Sequence, residues 1–205
     1  MRSPPVYRGH REGCDIAEVA VRVRGHRVRD IDRTSHPGQT ETVSIPVARL
    51  NHAVLHVRDA TRAADFYARV FGFEVVESAF GGRAVFLRSA GGDNHHDLGL
   101  FSVRPDAPRP TRGSVGLYHL AWEVPTIDDL AEAARILTEA GALGGASDHG
   151  VSKSLYGADP DGNEFEIMWR VPREAWGEHA DKGVVMPLDL EADIRRWGTP
   201  GAARA

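Results

Sequence analysis

The sequence predicts an α+β fold assembled from two βαβββ modules, and three observations predict it. An alternating apolar run is followed by an apolar helical period, the same order returns further along, and the composition changes at residue 47. In the first module, Arg49 to Val57 (RLNHAVLHV) is alternating and β-branched, which reads as a strand. Asp59 follows as an N-cap, and Ala63, Phe66, Tyr67 and Val70 recur at helical spacing up to Gly72. Phe73 to Phe80 and Arg83 to Ala90 read as two strands joined by Gly81-Gly82, and His96 to Val103 reads as a third. This unit occupies residues 48–103.

A linker rich in Pro, Gly and Arg, 104–114, leads to the second copy at 115–170. Gly116 to Val124 is its first strand. Thr126 to Ala142 is its helix, with Leu130, Ala133, Ala134 and Leu137 on one face and Gly141 at the end. Lys153 to Ala158 and Glu164 to Arg170 supply strands around the turn DPDGN, Asp159 to Asn163. His52 and His119 are offset by 119 − 52 = 67, and the helix-ending Gly72 and Gly141 by 69. Each copy is too small to bury its own sheet face, so the two are expected to pack as a pair.

Composition bounds the rest. The chain has 205 residues, 41% hydrophobic and 26% charged, enough for a sizeable core. A net charge of −4 supplies no basic field for a phosphate backbone, so no nucleic-acid partner is expected. One cysteine, Cys14, excludes an internal disulfide and any thiolate zinc cluster, which leaves His and carboxylate to hold a metal. No run approaches the roughly 18 apolar residues of a membrane span, and the reading is a soluble, cytoplasmic protein with no membrane partner. Residues 1–47 hold eight arginines, no lysine and six carboxylates, with only Ile16 to Val23 apolar, and are expected to form a disordered extension.

Alternation sets which way each strand faces. Ala53, Leu55 and Val57 belong under the helix, which turns His52, Val54 and His56 to the opposite face. Leu120, Trp122 and Val124 likewise leave His119, Ala121 and Glu123 opposite. Phe165, Ile167 and Trp169 leave Glu164, Glu166 and Met168 opposite. A histidine in a strand is by itself more often structural. Should the two sheets curl toward each other, however, His52, His119 and Glu166 line one cavity as two imidazoles and a carboxylate. That donor set suits Fe(II) or Mn(II) and leaves coordination positions open. His56 is read as rim rather than ligand.

The segments LNHAVLHVRD, ADFYARVFGF, GLYHLAWEV and YGADPDGNEFEI resemble the vicinal oxygen chelate superfamily over about residues 48–172. That superfamily includes glyoxalases, bleomycin-binding proteins, fosfomycin-resistance transferases, methylmalonyl-CoA epimerases and extradiol ring-cleaving dioxygenases. The resemblance implies a U-shaped mixed-sheet cleft around one divalent metal, with His52, His119 and Glu166 as its ligands. The extradiol branch adds a histidine near the end of the first module, a histidine before the penultimate strand and a tyrosine ten residues before the ligand glutamate. Here these fall on His96, chosen over His95, on His149, and on Tyr156, for which 166 − 156 = 10.

By this resemblance the protein is an extradiol dioxygenase using Fe(II), or secondly Mn(II), with O2 and a catechol-type aromatic as substrates. His96 handles the proton, while His149 and Tyr156 hold substrate oxygens. The alternatives are a fosfomycin-type thiol transferase, an acyl-CoA epimerase, a glyoxalase-like lyase or a small-molecule-binding resistance protein. A homodimer or higher homo-oligomer is expected. Residues 173–205, with Trp176 and Met186, are expected to pack near the cleft or at the dimer interface.

Overall fold

The computed structural model describes residues 45–111 and 113–200. All but the last three residues of the expected 1–47 extension lie outside that range. The first module is β1 (Ala53–Val57), α1 (Ala60–Phe71), β2 (Glu74–Ala79), β3 (Ala84–Arg88) and β4 (Leu98–Ser102). The second is β5 (His119–Glu123), α2 (Ile127–Glu139), β6 (Leu143–Asp148), β7 (Ser152–Ala158) and β8 (Glu164–Arg170). Each forms a four-stranded mixed sheet, in the orders β1-β4-β3-β2 and β5-β8-β7-β6. The α+β fold with paired four-stranded sheets is thus the one the sequence predicts. Among the described residues no helix is long and apolar enough to cross a membrane.

Local chemistry explains the helix ends. Asp59 accepts from the Arg62 amide at the start of α1, and Gly72 closes the helix in the left-handed conformation at φ 67°. Thr126 and Asp129 form a reciprocal capping box on α2. Ala140 caps its other end, one residue before the expected Gly141. Two elements go beyond the sequence reading. β6, LGGASD, becomes a strand through its antiparallel pairing with β7, and a short α3 (Leu190–Trp197) lies in the C-terminal segment.

The core runs continuously between the modules. Leu55, Leu98 and Leu100 are buried beneath α1, and Leu130 and Leu137 hold α2 to its sheet. Phe71 of α1 meets Phe165 edge-on at 5.0 Å, and Phe73 meets Trp122 at 5.1 Å. The DPDGN turn makes the polar part of this junction. Asp159 accepts from the Asp161 and Asn163 amides and from Tyr67 Oη at 3.4 Å. Burial first, and the Asp159 carboxylate second, push the Tyr67 phenol far above its usual range, so it remains a donor. Asp161 accepts from the Arg58 amide, Arg58 Nη1 and Arg62 Nη2, and Asn163 Nδ2 donates to the His56 carbonyl at 3.3 Å. The turn that launches β8 is therefore tied to the end of β1.

This predicts that Asp161→Ala, by leaving the half-buried Arg58 without its carboxylate partner, destabilises the fold by about 2 to 3 kcal/mol. Removing Glu132 from its exposed pair with Arg135 should leave stability nearly unchanged, because solvent screens the pair. Urea unfolding midpoints of the two variants check the contrast.

Candidate functional site

On the sheet face turned away from α2, strand register gathers four polar side chains. Glu166 of β8 lies opposite Ala121 of β5 on one side and Tyr156 of β7 on the other, while His119 opens β5 opposite Glu164. His119 Nε2 is 3.0 Å from Glu166 Oε2, and Tyr156 Oη is 3.4 Å from Glu166 Oε1. His149, in the turn after β6, places Nε2 2.7 Å from Tyr156 Oη. Burial first, then the Glu166 carboxylate, raises the Tyr156 pKa, so the phenol keeps its proton at neutral pH.

Two donors bound at about 2.1 Å and at right angles to each other lie about 3.0 Å apart. The His119–Glu166 spacing meets that condition. His119 Nδ1 is buried and has no hydrogen-bond partner among the described residues, so the ring is not held there as an ordinary structural histidine.

The other sheet carries a second group. His52 immediately precedes β1, and its Nδ1 lies 2.8 Å from Asn51 Oδ1. Asn51 Nδ2 donates to Asn94 Oδ1, and Asn94 Nδ2 donates to the Asn51 carbonyl, so Asn51 Oδ1 is left as acceptor. In the neutral ring His52 therefore carries its hydrogen on Nδ1, which leaves the lone pair on Nε2, the state a metal requires. The His96 ring lies 4.5 Å from that of His52 and packs edge-on to Phe86 at 5.1 Å. His95 is exposed, with its Nδ1 3.0 Å from His96 Nδ1. Burial first, then His52 and His95, lowers the His96 pKa below the ordinary histidine value, with Asp97 opposing. His96 is thus mainly neutral at pH 7.

The structure brings together His119, Glu166, Tyr156 and His149 on one sheet, and His52, His96 and His95 on the other. Among the described residues no three of His, Cys, Asp and Glu converge closely enough to hold a metal ion. The modules also differ at one position. Val54 pairs with Gly99 as Ala121 pairs with Glu166, so Gly99 is the counterpart of Glu166 (166 − 99 = 67). A Cβ on Gly99 would already sit 3.4 Å from Val54 Cγ2 and 3.6 Å from the Phe86 ring. The first module supplies no carboxylate there.

Sequence reasoning missed Asn51, Asn94 and Phe86. Asn51 adjoins a singled-out histidine, but its role depends on Asn94, 43 residues away.

Comparison with known proteins follows the same lines. The family profile described as Glyoxalase/Bleomycin resistance protein/Dioxygenase superfamily matches residues 49–167. The catechol-2,3-dioxygenase of Bacillus subtilis strain 168 is 34% identical over 153 residues, 73% of this chain and 52% of that protein. Biphenyl-2,3-diol 1,2-dioxygenase 3 of Rhodococcus globerulus is 34% identical over 122 residues, 58% of this chain and 62% of that protein. The chain thus spans between half and two thirds of the length of these two relatives. A solved glyoxalase/dioxygenase structure from Nostoc punctiforme matches with a TM-score of 0.54 at 19% identity, covering 65% of this chain and 100% of that one, which is a likeness of fold.

Proposed function

The chain belongs to the glyoxalase/bleomycin resistance protein/dioxygenase superfamily, and from that membership we propose that it is a metal-dependent extradiol dioxygenase. The reaction would insert both atoms of O2 into a catechol-type ring, opening it beside the two hydroxyls. One observation carries this reading. A tyrosine hydrogen-bonded to a histidine stands directly beside a histidine–carboxylate pair at ligand spacing. The names of the two 34%-identical relatives point the same way.

His119 and Glu166 would hold the metal, Fe(II) first and Mn(II) second; the likeness to the superfamily adds His52 as the third ligand, although among the described residues it does not converge with that pair. When bound, the ion supplies Lewis-acid and redox chemistry toward the catechol oxygens and O2. The chain's own groups do the rest. Tyr156, backed by His149, takes one substrate hydroxyl by a hydrogen bond. His96, neutral at working pH, accepts or returns a proton at the other. Val54, half exposed on the face of β1, and Phe86 offer apolar surface to the ring. Gly99 keeps the first module free of a second carboxylate, which separates this donor set from a four-ligand lyase. The protein works as a soluble cytoplasmic homodimer or higher homo-oligomer, with small molecules as its other partners.

Adding catechols to the iron-loaded protein without oxygen tests the reading. A saturable absorbance change is expected with catechols and not with phenol, which has one hydroxyl. No change with any catechol, alongside thiol addition to an epoxide or epimerisation of an acyl-CoA, would reassign the activity.

A further inference from the structure

We infer that the C-terminal segment, residues 179–197, is a positioning element that fixes which ring nitrogen of His149 carries the proton. The geometry stands independently, while its catalytic consequence rests on the proposed function. His149 Nδ1 lies 2.8 Å from the Val184 carbonyl oxygen. A carbonyl oxygen only accepts, so Nδ1 holds the hydrogen and donates it. In the neutral ring Nε2 then holds the lone pair, and at 2.7 Å it accepts from the Tyr156 hydroxyl. At 2.7 Å that bond is much shorter than the 3.4 Å between Tyr156 Oη and Glu166 Oε1, so the hydroxyl hydrogen goes to His149 and Tyr156 Oη presents lone pairs to the site.

The site therefore receives a ligand O–H and does not donate to an oxyanion at this position. In the proposed reaction, the substrate hydroxyl gives its proton to Tyr156 Oη as the tyrosine's own proton passes to His149 Nε2. One O–H bond breaks and one forms at the tyrosine. The substrate becomes the oxyanion, and His149 becomes an imidazolium whose Nδ1–H still faces Val184.

Contacts on both sides of Val184 hold its carbonyl in place. Asp148 and Met186 exchange backbone hydrogen bonds of 2.8 and 2.9 Å. Lys153, only 7% exposed, puts Nζ 2.5 Å from Asp148 Oδ2 and 3.5 Å from Asp193 Oδ1 of α3. The His179 ring lies against Gly150, where a Cβ would come within 2.5 Å of it. Trp197 packs on Trp169 at 6.1 Å. Lys153 is thus a positioning residue that acts on His149 through Asp148 and the segment paired with it.

Long-range proton–nitrogen NMR of the whole chain, labelled with 15N-histidine, reads the tautomer directly. The wild type should show His149 in the Nδ1–H form. Met186→Pro removes the amide that donates to Asp148, and Lys153→Met removes the cation between the two aspartates. Each should shift His149 toward a mixture with the Nε2–H form and lower kcat by about 10-fold or more, with KM changed less. Wild-type His149 in the Nε2–H form would overturn the inference, as would an unchanged tautomer in folded Met186→Pro protein. A tautomer tied to the segment in a protein without oxygenase activity would support the inference and count against the proposed function instead.

Discussion

Glu166→Ala protein should bind iron more than about 100-fold more weakly than wild type while remaining folded. Changes to groups that only orient a ligand already cost 10- to 100-fold in metal affinity, and this change removes a ligand itself. The residue is well placed for a separable test. Its carboxylate lies between His119 and Tyr156, whereas the flanking Phe165 and Ile167 carry the packing. Truncating it therefore removes donors without opening the core. Metal content after dialysis checks the prediction, with Glu132→Ala, on the exposed face of α2, as the control. Full occupancy in Glu166→Ala protein would remove this carboxylate from the donor set.

His96→Ala should bind metal and catechol nearly as wild type yet turn over about 10² to 10⁴ times more slowly, the range typical of a lost general acid–base group. The His96 ring touches His52, Phe86 and the exposed His95, and among the described residues no side-chain carboxylate or backbone group bonds to it. Its loss therefore costs little packing. Steady-state kcat alongside anaerobic substrate affinity separates the two effects. Turnover unchanged in the variant would take the proton-carrying role from this histidine while leaving ring cleavage as the reaction.

Legibility in the sequence followed the physics of each element. β1, α1, β5 and β8 were readable because their apolar residues alternate or recur against a buried layer, and the 67-residue offset made each copy support the other. β6 was not. LGGASD has two glycines and no β-branched residue, and its conformation comes from the partner strand β7. α3 escaped notice because LEADIRRW is short and half charged, with its ends set by Asp189 and by contacts to Trp169. Among site residues, His119 and Glu166 were legible because strand alternation turns both away from the helix layer, whereas Tyr156 was named only through the family resemblance. His149 was named, but its orientation was not, since the Val184 carbonyl that sets it is a backbone atom with no side-chain signature. The same holds for Gly99, whose place opposite Val54 only the register reveals.

Oxygen consumption by the iron-loaded protein with a catechol decides whether ring cleavage is its reaction. The expected result is one O2 taken up per catechol consumed, and a ring-opened product whose mass is that of the substrate plus both oxygen atoms. Catechol oxidised to a quinone without oxygen incorporation, or no uptake with any catechol on fully iron-loaded protein, would contradict it.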